Sequence, residues 1–158
     1  MTDLRGANCA VFYVNGATGS DDNDGSGWTS GSAFATVQKA FDKIADGTIN
    51  DGDEVRICGG GVTYGIGTAL NPAWDLKEVT ITGANADGMV DNTQARLIAT
   101  ASIGSILDID ATECERSVWA NIYFDGAGVA TNCVNSAANN HYQTFLNCRF
   151  SNASSHGV

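Results

Sequence analysis

The sequence predicts an all-β solenoid entered through a single helix. Three observations carry that reading: a turn-rich composition, one amphipathic helical stretch near the start, and short period-two runs, the last two of which repeat each other. Nineteen glycines and a single proline, Pro72, imply many tight turns between short strands, because Gly and Asn tolerate the positive φ that such turns need. With 158 residues and 43% hydrophobic content, the chain is long enough for one continuous core. It is therefore read as a single domain, 1–158, with a strand, an acidic loop and a helix in 1–52 and stacked rungs in 53–158.

The first element is a strand at Val11–Val14. The stretch GSDDNDGSGWTSGS follows as a turn-forming loop. Phe34, Val37, Phe41 and Ile44 then recur at helical spacing and predict a one-faced helix over about Val37 to Ala45. Thr36 is the expected N-cap, with Ser32 as the alternative start, and Asp46-Gly47 supplies the stop. Beyond Gly52 the pattern becomes period two: EVRIC, EVTITG, RLIAT, SILDI, SVWANIYFDGAG and QTFLNCRFSNAS are β-type runs separated by Gly, Asn and Asp.

The last two runs superpose when Val118 is laid on Thr144. Val118, Ala120, Ile122 and Phe124 fall over Thr144, Leu146, Cys148 and Phe150 and are expected to point inward. Trp119, Asn121, Tyr123 and Asp125 fall over Phe145, Asn147, Arg149 and Ser151 and are expected to point outward. Parallel rungs account for this long return better than an antiparallel sandwich, whose hairpins would recur every ~8–12 residues.

The opening of the chain carries a resemblance. FYVNGATGSDDNDGSGWTSGSAFATVQKAFDKIADG, followed by DGDEVRICGGGVTY, resembles the opening of right-handed parallel β-helix proteins of the pectin-lyase-like superfamily. There a strand, a GSDxNDG loop and a FATxQKAxD helix precede a GDxVxVxxGxY strand. The match covers about Val11 to Tyr64. It implies a right-handed parallel β-helix with one N-terminal capping α-helix that plugs the first rung, and it implies either a virion protein or a polysaccharide-active enzyme.

Charge narrows the partners. Eight basic against eighteen acidic residues give a net charge of -10, which repels nucleic acid and anionic membrane surfaces. No stretch is long and apolar enough to span a bilayer. The first twenty residues lack a basic start, and their apolar run of about six residues is shorter than a secretion signal needs. Five cysteines, Cys9, Cys58, Cys114, Cys133 and Cys148, contain no CxxC pair and read as reduced, mostly buried thiols. A zinc site would have only His141 and His156 to add, neither at ligand spacing from a cysteine pair.

Motifs that would carry chemistry are few. Asp21, Asp22 and Asp24 invite calcium, but an EF-hand loop would need an acid where Ser20 stands and a glutamate where Gly31 stands. His156-Gly157 is similar to the His-Gly pair of the polygalacturonase branch, whose accompanying NTD and DD motifs are missing from the rungs. A lyase would need a basic residue beside clustered carboxylates, and Arg149 alone stands on the superposable strands. No catalytic residue, metal or cofactor is therefore expected, and the question of an enzyme stays open. The outward stripe of Trp119, Tyr123, Phe145 and Arg149 is the candidate contact site, for a protein subunit first and a glycan second.

The resulting expectation is a virion structural or adhesive protein: a bacteriophage tail, fibre or capsid-surface component, made in the host cytoplasm. Its partners would be neighbouring subunits, in a homotrimer or with other virion proteins, and polysaccharide. The alternative is the N-terminal part of an extracellular polysaccharide lyase or glycoside hydrolase. The chain stops at Val158, soon after Phe150 and far short of a circuit like that from Val118 to Thr144. The last rung is accordingly expected to be covered by a neighbouring chain or by more of a longer polypeptide.

Overall fold

The computed structural model describes residues 9–72, 78–109, 116–136 and 143–155. In chain order they form β1 (Val11–Val14), α1 (Val37–Ala45), β2 (Glu54–Cys58), β3 (Thr63–Ile66), β4 (Thr80–Ala84), β5 (Ala95–Ala99), β6 (Ser105–Ile109), β7 (Val118–Ala120), β8 (Ile122–Asp125), β9 (Asn132–Ser136), β10 (Thr144–Leu146) and β11 (Arg149–Ser151). The strands make a five-stranded sheet in the order β1-β2-β4-β7-β10, a four-stranded sheet β11-β8-β5-β3, and a two-stranded sheet β6-β9. Every pairing between these strands is parallel.

This corrects the expected architecture. The described residues form three unequal parallel sheets with one short helix; they are β-rich, and they do not form the closed solenoid, the right-handed parallel β-helix, that the repeat suggested. The registers supply the physical reason. A regular coil needs a constant circuit, and the return that brings Val118 to Thr144 is not sustained. Thr80 is paired with Val118 and Thr63 with Arg96, and both of these circuits are longer, by unequal amounts. Connections of such different length cannot all take the same path.

α1 forms where the local signals put it. Thr36 is the N-cap, in an extended conformation, and its Oγ1 accepts a hydrogen bond from the Lys39 N–H at 3.1 Å. Asp21 reaches across from the acidic loop: its Oδ1 accepts from the Ala35 and Thr36 N–H groups at 2.9 Å each, and its Oδ2 accepts from the Thr36 hydroxyl at 2.8 Å. Asp46 closes the other end, followed by Gly47 at φ 84°. Val37, Ala40, Phe41 and Ile44 are buried, so one stripe enters the core while Gln38 and Asp42 face water and bond each other at 2.8 Å. Phe34 precedes the helix and is buried by its own bridge to Val14.

The core is continuous from α1 through all three sheets. It includes Val14, Phe41, Ile57, Ile81, Leu97, Leu107, Trp119, Phe124 and Val134. Two asparagines divide the strand runs. Asn121 (φ 54°) separates β7 from β8, and Asn147 (φ 50°) separates β10 from β11. Each sends the chain from the five-stranded into the four-stranded sheet. The two are stacked, with Asn147 Nδ2 donating to Asn121 Oδ1 at 2.8 Å and Asn121 Nδ2 donating to the Asp91 carbonyl at 2.8 Å. Gly83 lies against this bend: a Cβ there would sit 2.1 Å from the Asn121 carbonyl oxygen, so only glycine fits.

Candidate functional site

The expected stripe of Trp119, Tyr123, Phe145 and Arg149 does not lie on one face. The strand neighbours are as the superposition of the two runs requires: Phe145 pairs with Trp119, and Arg149 with Tyr123. The faces are not. The left-handed residue Asn121 interrupts period two, so β7 and β8 are out of phase with each other. Trp119 points inward and is 0% exposed, whereas Val118 and Ala120, expected inside, are half-exposed on the outer face. Phe145 is likewise an inner residue, its ring stacked 6.2 Å from Trp119 and meeting Phe150 edge-on at 5.6 Å. The Trp119 indole N–H donates to Gln143 Oε1 at 2.9 Å.

Tyr123 and Arg149 remain on the outer face of the four-stranded sheet. The register stacks Arg96, Tyr123 and Arg149 on successive strands. The tyrosine ring is held between two guanidinium groups, Arg149 at 4.5 Å and Arg96 at 5.3 Å from its centroid. Its hydroxyl shares a hydrogen bond with Ser151 Oγ at 2.9 Å. Both ring faces are therefore covered, and a sugar could not stack on either. Arg96 is paired with Asp125, and Arg149 has no carboxylate partner among the described residues.

A groove of about 430 Å³ opens beside this column, between Arg96, Ile98, Asp125, Asn152 and Ala153. Asp125 is buried at its floor. Burial pushes its carboxyl up. Hydrogen bonds from Asn152 Nδ2 (2.8 Å), the Arg96 guanidinium and the Ala127 N–H (3.0 Å) outweigh that and hold it at about 2. It is an ionised structural acceptor, with neither the raised pKa of a general acid nor an oxygen left for a substrate proton.

The acidic loop is engaged in the same way. Asp21 caps the segment before α1, as above. Asp24 Oδ1 accepts from the Ser26 hydroxyl at 2.6 Å and its N–H at 2.9 Å, and these bonds hold the carboxyl below the usual carboxylate range. Among the described residues, no group of three or more His, Cys, Asp or Glu is placed to hold a metal ion. Cys58 and Cys133 are buried free thiols and Cys9 and Cys148 are half-buried. Cys114, His141 and His156 lie outside the described residues.

One cluster escaped the sequence reading. On the outer face of the five-stranded sheet, Tyr13 meets Trp28 edge-on at 5.7 Å, and Arg56 lies 6.0 Å from the Tyr13 ring. Glu54 holds Arg56 in a two-pronged pair, Nε to Oε1 at 3.0 Å and Nη2 to Oε2 at 3.2 Å. The Trp28 indole N–H donates to the Ala86 carbonyl at 2.5 Å, and Arg56 Nη1 donates to the Gly88 carbonyl at 3.2 Å. The cluster ties the 19–33 loop to the 85–93 loop. Only the i, i+2 spacing of Glu54 and Arg56 was visible in the sequence.

No family model matches the chain, and neither a curated protein nor a solved structure is similar to it.

Proposed function

We propose that this chain is a structural component of a virus particle, a bacteriophage tail, fibre or capsid-surface protein, whose work is contact with neighbouring subunits. The observation that carries the reading is the combination of occupied polar chemistry with an apolar sheet edge. The buried or capping carboxylates Asp21, Asp53 and Asp125 all accept structural hydrogen bonds. At the same time β10 and β11 are adjacent edge strands, with Phe145 and Phe150 half-buried beneath them and Leu146 53% exposed above. Edge strands backed by aromatic rings serve protein contact better than catalysis. The resemblance of Val11 to Tyr64 to pectin-lyase-like proteins also supports this reading, since virion proteins are among them.

A second reading, contact with an anionic host glycan, is favoured by Arg149 alone, whose guanidinium stands beside the groove with no carboxylate partner among the described residues. The test of the main reading is the composition of purified particles. The chain is expected there in a fixed stoichiometric ratio to the other particle proteins. Recovery only as free protein in the lysate, or cleavage of a polysaccharide by the purified chain, would overturn it.

A further inference from the structure

The register builds an outer face on the five-stranded sheet that is distinct from the Arg149 column. Tyr13, Arg56, Thr82, Ala120 and Leu146 are aligned across β1, β2, β4, β7 and β10. The 85–93 loop crosses this face. It is anchored at one end where Arg56 donates to the Gly88 carbonyl and at the other where Asn121 donates to the Asp91 carbonyl. Met89 and Val90 lie between those anchors and are 62% and 45% exposed, while Thr82 in the face itself is buried. Beyond the loop the face continues through Ala120 and Leu146, with Val118 and Thr144 in the next column. A groove of about 360 Å³ runs beside Thr80, Val118 and Thr144.

From the loop to β10, this face carries no charge at its centre. Charges stand at its margin: the Glu78–Arg116 pair at 2.7 Å, and Asp87 and Asp91 on the loop, all exposed. An apolar centre with a charged margin is the anatomy of a protein interface. The net charge of -10 selects the occupant. Two copies of so acidic a chain repel each other over most of their surface, so self-association is confined to a patch without charge. We infer that this face, centred on Leu146, Met89 and Val90, binds a second copy of the chain, the same patch meeting itself across a two-fold axis. The inference rests on the subunit-contact reading above and assigns it a place.

The test is sedimentation equilibrium of the full chain across the micromolar range, at low and high salt. A reversible dimer is expected, tighter at high salt because screening removes the repulsion between acidic copies. Leu146→Asp and, independently, Met89→Glu should each weaken it by about tenfold or more, since each would bury an uncompensated charge. Both side chains are exposed in the monomer, so the melting temperature should not move. Val129→Asp, at an exposed apolar position outside the face, should leave association unchanged. A chain that stays monomeric at high salt, or a dimer indifferent to both face variants, or one weakened as much by Val129→Asp, would overturn the inference. Particle composition is a separate result: particles lacking the chain would sink the virion reading and leave a Leu146-dependent dimer standing.

Discussion

Asp125 sits where burial and hydrogen bonding pull in opposite directions, and the bonds prevail. Its folded pKa of about 2 lies below the roughly 3.9 of an unfolded aspartate. The stability it contributes is therefore fully present above pH ~4 and is lost as pH falls from about 4 towards about 2. Asp125→Asn should cost about 1–3 kcal/mol at neutral pH and flatten that acid limb in urea titrations run at several pH values. An unchanged limb would mean that other carboxylates set it. Asn121 is the other decisive residue. Asn121→Ala forces a side chain without a local hydrogen bond into left-handed backbone and removes the bonds to Asp91 and Asn147, for about 2 kcal/mol or more; Asn121→Gly relieves the backbone and should cost less. Equal urea midpoints for the two variants would contradict that account. The reversal of inward and outward residues at β7 follows from this one bend. It could not be read in the sequence, because the positive φ of Asn121 is fixed by distant partners, Asp91 and Asn147. The pairing of Tyr123 with Arg149 was legible because both follow an equivalent bend and keep the same phase.

Among the elements, α1 was the most legible, since its stripe, its cap and its stop are all local. Phe41 is its central apolar residue, buried and 6.0 Å from the Trp119 ring. Phe41→Ala should destabilise the chain by about 3–5 kcal/mol, and Phe41→Asp by more, measured by thermal or urea unfolding. Wild-type stability in either variant would show that α1 does not seal this part of the core. The acidic loop separates structure from metal binding. Asp21→Ala removes three hydrogen bonds and should cost about 1–3 kcal/mol, whereas Asp22→Ala, at an exposed position, should stay within about 0.5 kcal/mol. Added calcium should leave the melting temperature in place. A rise in melting temperature that disappears in Asp24→Asn would reinstate the calcium site.

At the scale of the molecule, the strand content and the parallel pairing of the last two runs were readable, because laying one run on the other kept their side-chain pattern in register. The closed coil inferred from that one repeat did not hold, since the longer circuits from Thr80 to Val118 and from Thr63 to Arg96 carry no pattern that a single sequence displays. The contact faces were misplaced for a related reason: they depend on a loop, 85–93, whose anchors Arg56 and Asn121 lie far apart in the chain. What the three sheets provide as a whole is a rigid, acidic body with an uncharged outer face and an apolar edge at β10 and β11. The central claim is that this region is where neighbouring subunits sit. Hydrogen exchange with mass-spectrometric readout tests it most directly, by comparing the isolated chain with the chain in assembled particles. Exchange should slow on assembly at β7, β10, β11 and the 85–93 loop and remain unchanged in α1. Equal exchange in both states across Val118–Ala120 and Thr144–Ser151, or protection confined to α1, would contradict it.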